Sequence, residues 1–145
     1  MMASALYNRD ILRLAASLAP ALPIADPHGQ AERRSPTCGS KVSASLTLDA
    51  NGRIVRLSLD VHACALGQAS AAIVQAEAPG RDRAALEAGR AQLAAYLAGE
   101  ADHPGDWASM DLLAPARSYP ARQPALLLPY EAVLAALDEA LEKQA

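Results

Sequence analysis

The chain has few aromatic residues. Its 145 residues include no phenylalanine, one tryptophan and four tyrosines, so the core has to be assembled from Leu, Ile, Val and Ala. It also has no basic tract, and its net charge is −3, which argues against a nucleic-acid-binding surface. At this length we expect a single domain spanning residues 1–145.

Long apolar runs are missing as well. The longest apolar stretches are short and contain proline or charge, which argues against a transmembrane helix. The first residues lack a basic segment followed by an apolar run, so we expect no signal peptide and a cytoplasmic location. Structural disulfides are rare in a reducing compartment, so the only two cysteines are either small buried side chains or reactive groups.

What is present is a pattern typical of an α+β fold. Apolar and polar residues alternate over residues 41–48 and again over 53–63, with an Asn-Gly turn between them, which predicts a β-hairpin. Residues 25–37 are predicted to form a loop, and a short third strand is expected after the hairpin. In the second strand, four residues are expected to face the core: Val55, Leu57, Leu59 and Val61.

Helical periodicity surrounds the hairpin. The first helix is expected to be stopped by prolines, and its apolar stripe is Ile11, Leu14, Ala15, Leu18 and Leu22. A second helix begins at Cys64, with Leu66, Ala69, Ile73 and Ala76 on one face. Further helices are predicted from Asp82 to Leu97, after an N-cap at Asp106, and at the chain end from Pro124 or Pro129. We therefore predict a small antiparallel sheet of about three strands with helices packed on one face.

The two cysteines occupy positions where a thiol can act chemically. Cys38 lies in a Pro/Gly-containing turn before the first hairpin strand, and Cys64 lies where strand changes to helix. The first N–H groups of a helix favour a thiolate, which is both a nucleophile and a soft ligand for zinc or iron. The alternative is that both cysteines are small buried hydrophobic residues.

Three other residues are candidates for the same site. His62 precedes Cys64 by two residues, so on an extended strand both lie on one face, and the imidazole could reach a metal bound by Cys64. The alternative for His62 is a solvent-facing residue at a strand end. Ser40 is a weak ligand that also suits a turn. Arg122 could pair with a thiolate or with sulfide, although such an arginine more often forms a surface ion pair.

Three segments resemble motifs of the NifU/IscU/SufU-type iron–sulfur cluster assembly scaffolds. Ser-Pro-Thr-Cys-Gly at residues 35–39 is similar to that family's Asn-Pro-x-Cys-Gly-Asp motif. The segment His-Ala-Cys-Ala-Leu-Gly-Gln-Ala-Ser at 62–70 is similar to Gly-x-Gly-Cys-x-Ile-x-x-Ala-Ser. Tyr-Pro-Ala-Arg at 119–122 is similar to the Phe-Pro-Ala-Arg run that precedes the third cysteine, and the SufU-like branch matches best.

The chain also departs from the family's pattern. The third cysteine falls at Ala125, the aspartate after Cys-Gly at Ser40, a neighbouring histidine at Pro124, and two glycines at Val61 and Ala63. The resemblance implies a site for zinc, iron or a nascent [2Fe–2S] cluster at four positions. Only the two cysteines carry over, and His62 would be a third ligand in a shifted geometry.

Three functions remain open on this sequence. The first is a scaffold-like protein that binds iron, zinc or a nascent cluster, or accepts sulfur, through Cys38 and Cys64 with an incomplete ligand set. The second is an interaction protein of the same pathway that carries no metal. The third is a thiol enzyme in which Cys64 accepts sulfur with His62 as base, which lacks a group to orient the histidine. For the first two, the resemblance implies a cysteine desulfurase or another assembly protein as partner, and no catalysis.

Overall fold

The computed structural model describes residues 6–36 and 39–144 of the chain. Thr37 and Cys38 lie outside the described residues, as do the first five residues and the last one. The elements, in chain order, are helix α1 (Arg9–Ser17), strands β1 (Gly29–Arg34), β2 (Lys41–Leu48) and β3 (Ile54–His62), helices α2 (Ala65–Glu77) and α3 (Arg83–Leu97), two 3-10 helices (Met110–Ser118 and Pro120–Arg122) and helix α4 (Gln123–Gln144).

The three strands form one antiparallel sheet in the order β1–β2–β3. Strand β2 alternates without exception between buried and half-buried residues, as its sequence predicts. In the turn that follows, Gly52 has a φ of +77°, a conformation that glycine adopts without strain. The carboxylate of Asp49 accepts hydrogen bonds from the backbone N–H groups of Arg53 and Asn51, and these bonds lower its pKa. The predicted hairpin is confirmed.

The predicted loop over residues 25–37 is wrong in its middle, where β1 forms. The sequence Gly-Gln-Ala-Glu-Arg-Arg has no apolar alternation because β1 is an edge strand whose side chains are mostly exposed. A Cβ on Gly29 would overlap the backbone carbonyl of Ala136 in α4, so glycine permits the helix to approach this edge closely. The third strand therefore precedes the hairpin, and the short strand expected after it is absent from the described residues.

Three apolar residues that were expected to face the core are exposed. Leu48 pairs with Ile54 and Thr47 pairs with Arg56, so Val55 is the extra residue of a bulge, and it is 55% exposed. Leu22 is 72% exposed because α1 ends at Ser17, before the prolines. Ala76 also lies at the surface, although the rest of its predicted helix face is buried.

The helices confirm most of the remaining expectations. Asp82 caps α3 by accepting a hydrogen bond from the backbone N–H of Ala85. Asp106 does not begin a helix, since the 3-10 helix starts at Met110 after Ser109, whose φ is +72°. Helix α4 begins at Gln123, and Pro129 lies buried inside it. No helix among the described residues is both long and apolar enough to cross a membrane.

Helix α4 is the element that joins the layers. It packs against β1 and β2, and it also contacts α2 and α3, while α2 covers β3 and α1 packs on α2. The hydroxyl of Ser70, which is fully buried in α2, donates a 2.6 Å hydrogen bond to the backbone carbonyl of Leu126 in α4. This bond fixes the first turns of α4 against α2.

Loss of the Ser70 hydroxyl should therefore lower the free energy of unfolding. We expect Ser70→Ala to cost about 1 kcal/mol, the usual net value of a buried hydrogen bond, as measured by chemical denaturation. Ser17→Ala is the matched control, because its hydroxyl also donates at 2.6 Å to a carbonyl, that of Leu14, but is exposed and bonds within α1. Equal losses in the two variants would show that the contact between α2 and α4 does not depend on this bond.

Candidate functional site

One cavity collects residues from all three of the motif segments. It has a volume of about 500 Å³ and lies where the start of β2 and the end of β3 meet the starts of α2 and α4. Its described lining is contributed by the first motif (Gly39, Ser40), the second (His62, Ala63, Cys64) and the third with the start of α4 (Ala121, Arg122, Ala125). Segments that are distant in sequence therefore meet at one place.

Cys64 lines this cavity and is the N-cap residue of α2. Its backbone is extended, with φ −66° and ψ 172°, and its side chain makes no capping hydrogen bond. The thiol is free and half-buried, and it packs partly against the hydrophobic core. The change from strand to helix predicted at this residue is confirmed. The cysteine thus places a sulfur atom at a helix start in the cavity wall.

His62 is the last residue of β3, and it lines the cavity with its side chain 61% exposed. Its Nε2 atom lies 3.3 Å from Oδ1 of Asp60, which precedes it by two residues on the same strand. Asp60 is thus an acidic group beside His62 that sequence reasoning did not identify. The chain's other histidines lie elsewhere: His28 accepts a hydrogen bond at Nδ1 from the backbone of Leu48, and His103 accepts one from Gly105.

The first motif reaches the cavity through Gly39 and Ser40. Gly39 has a φ of +72°, and its N–H donates to the carbonyl of Ser35, while the N–H of Ser35 donates to the carbonyl of Ser40. These bonds close a tight turn, and Ser40 is 4% exposed. Because Cys38 lies outside the described residues, its sulfur has no stated position, but Gly39, the next residue, forms part of the cavity wall.

Arg122 lies at the end of the second 3-10 helix, on the exposed side of the cavity. Its Nη1 donates a 2.6 Å hydrogen bond to the hydroxyl of Tyr7, and its guanidinium lies 5.8 Å from the centre of the Tyr7 ring. No local pattern predicts this contact, because the two residues are 115 positions apart. Arg122 is therefore tied to the segment that precedes α1.

Ala125 occupies the position of the family's third cysteine. It lies in the first turn of α4, is 2% exposed, and presents no donor atom on its side chain. Gly67 of α2 approaches it closely, since a Cβ on that glycine would lie 3.7 Å from the Ala125 Cβ and only 2.7 Å from that of Ala63. Two small residues thus hold the two helix starts together beside the thiol.

The described lining has more positive than negative character. Arg122 is a permanent cation, and none of the described residues that line the cavity is a carboxylate. Among the described residues, no group of three or more His, Cys, Asp or Glu side chains is arranged to hold a metal ion. A larger cavity of about 600 Å³, beside Leu22, Arg56 and Gln75, contains no cysteine or histidine.

Comparisons with known proteins identify the fold. No protein-family model and no curated protein sequence matches the chain. Among solved structures, it is similar to a nitrogen-fixing NifU-like protein (N-terminal) from Brucella abortus, with a TM-score of 0.91 and 30% identity over 99% of each chain. It is also similar to a candidate iron–sulfur cluster assembly scaffold protein for the SUF system from Fervidobacterium islandicum AW-1.

The second structure has a TM-score of 0.82 and 20% identity, over 91% of this chain and 96% of the other, and so it supports the fold alone. A hypothetical protein gives 0.76 and 18%, over 88% and 96% of the two chains. The first comparison spans nearly the whole of both proteins at 30% identity. The chain therefore belongs to the NifU/IscU/SufU-type scaffold family, as a divergent member with alanine in place of the third cysteine.

Proposed function

We propose that this protein is a scaffold-like component of iron–sulfur cluster assembly. Its cargo is iron, zinc or a nascent [2Fe–2S] cluster, or sulfur on its way to one, taken up through Cys64 together with Cys38. The observation that carries this proposal is the single cavity lined by residues of all three motif segments, with a free thiol in its wall. A cysteine desulfurase or another assembly protein is the proposed partner, and the protein itself catalyses no reaction.

The donor atoms of the cavity do not fill a tetrahedral site, which needs four ligands. The described residues offer the thiol of Cys64 and the imidazole of His62, whose Nε2 lies 3.3 Å from the Asp60 carboxylate. Ala125 offers none, and the Ser40 side chain is buried and a weak ligand. With Cys38 as a further donor the set stays short of strong ligands, so it suits a cargo that is held briefly and passed on better than a permanent metal.

Loading with iron and sulfide tests the proposal. After anaerobic incubation and desalting, we expect the protein to retain iron and acid-labile sulfide, and Cys64→Ala and Cys38→Ala each to lose most of both. Zinc in the protein as purified should follow the same pattern. A variant that combines Cys38→Ala and Cys64→Ala sets the background. Iron, sulfide and zinc contents in the unmodified chain no higher than in this double variant would contradict cargo binding by these thiols.

A restored ligand should strengthen retention. We expect Ala125→Cys to slow the loss of iron to a chelator by about tenfold or more, since even the loss of a group that only hydrogen-bonds a metal ligand changes metal affinity by that much. Ala121→Cys is the matched control, because it adds a thiol to the same cavity at a position outside the family's ligand pattern. Equal slowing in both variants would show that the Ala125 position has no special geometry for metal.

The lack of donors at Ala125 and Ser40 favours a second candidate, an interaction protein of the same pathway that carries no metal. This candidate predicts that a cysteine desulfurase binds the intact chain and a Cys38→Ala/Cys64→Ala variant equally well, while neither retains iron. Surface plasmon resonance with the two proteins immobilised would measure this. Binding lost together with the thiols would reject it.

Sulfur acceptance by Cys64 is supported by the Asp60 carboxylate, which lies 3.3 Å from Nε2 of His62 and could orient that histidine. In that case the Cys64 thiolate attacks the outer sulfur of a persulfide on the desulfurase, the desulfurase cysteine leaves as a thiolate, and Cys64 carries the sulfur as a persulfide. Both members of the pair are more than half exposed, so the contact is a weak one. Mass spectrometry after incubation with a desulfurase and cysteine would detect the added sulfur on Cys64.

A further inference from the structure

Tyr7 and Arg122 form a contact that the proposed function does not use. The hydroxyl of Tyr7 accepts a 2.6 Å hydrogen bond from Nη1 of Arg122, and the guanidinium also faces the tyrosine ring at 5.8 Å. A guanidinium has five N–H donors arranged in a planar fork, so one bond to a neutral hydroxyl leaves its charge uncompensated. No ion pair joins Arg122 to a carboxylate among the described residues.

The same guanidinium belongs to the wall of the cavity that contains Cys64. No described carboxylate lines this cavity, so the charge of Arg122 is opposed there by no acidic side chain. Asp60 does not contribute to the lining, although its carboxylate lies 3.3 Å from Nε2 of the lining residue His62. A ligand that enters the cavity therefore meets one permanent positive charge, which attracts an anion and repels a free cation.

We propose that Tyr7 positions Arg122 as the anion-recognition group of the cavity, so that ligands bearing a negative charge reach Cys64 in preference to neutral ones. This inference rests on the proposed function, in which Cys64 is the reactive or binding thiol. It adds the class of ligand: a small or partner-borne sulfur compound that is itself anionic. Tyr7 acts through Arg122 and does not touch the ligand.

The alternative is that the contact only fastens the segment before α1 to the 3-10 helix. The two possibilities differ in what they predict for charge selection at Cys64. Iodoacetate is anionic and iodoacetamide is neutral, yet both react with the same thiolate. The ratio of their rates therefore cancels any change in the amount of thiolate and reports the local electric field. The intact chain is alkylated and then digested, and mass spectrometry of the peptides distinguishes modification at Cys64 from modification at Cys38.

We expect Arg122→Gln to lower the iodoacetate-to-iodoacetamide rate ratio at Cys64 by about threefold, the effect of one unit charge removed at a solvent-exposed site. Tyr7→Phe keeps the ring and removes the bond, and should lower the ratio by about twofold through the freed arginine. In the Arg122→Gln background, Tyr7→Phe should have no further effect. Arg56→Gln is the control, because it removes the same charge at the other cavity.

Salt provides a measurement that needs no variant. The ratio for the unmodified chain should fall as ionic strength rises, because screening weakens the attraction of the anionic reagent. A ratio unchanged by Arg122→Gln, or one independent of salt, would overturn the proposal. So would an equal effect of Tyr7→Phe with and without Arg122, since that would show a merely structural contact. Iron and sulfide loading is scored separately, so failure here is distinct from failure of the scaffold function.

Discussion

The close approach of α4 to its neighbours is the constraint on which the rest of the structure depends. Gly29 allows the helix to lie directly on the edge strand, because any side chain there would strike the carbonyl of Ala136. Between α2 and α4, a Cβ on Gly67 would lie in ordinary van der Waals contact with Ala125, and the buried bond from Ser70 to Leu126 fastens the two helices. A chain without phenylalanine fills its interior by bringing backbones close together around a few buried aromatic side chains, among them Tyr130 and Trp107.

The candidate site is a consequence of this packing. The starts of α2, α4 and β2 lie at one end of the molecule, together with the end of β3. The residues that begin or end these elements therefore face a common cavity. Cys64 lines the cavity because it is the N-cap residue of α2, and Ala125 lines it because it lies in the first turn of α4. The packing of these elements therefore forms the cavity whether or not each residue in its wall can bind a metal.

Sequence reasoning succeeded where a residue's role is set by its neighbours along the chain. The alternation in β2 and the helix predicted from Asp82 to Leu97 rest on local signals, and both are confirmed. It failed for β1, whose polar edge is stabilised by a helix more than 100 positions away, and for Val55, whose exposure follows from a bulge. The meeting of the three motifs followed from the family resemblance rather than from periodicity, and the bond between Tyr7 and Arg122 had no signal at all.

The departures from the family pattern change the electrostatics of the cavity in one direction. By the family resemblance, Ser40 and Ala125 stand where the family has an aspartate and a cysteine, which can bear negative charge, whereas the cation at Arg122 is kept. The resemblance thus implies a cavity with less negative charge than the family's pattern has. A free metal cation loses both its ligands and its attraction to such a site, while an anionic ligand gains attraction. The loss of donors and the retained arginine thus favour sulfur-bearing anions over free metal.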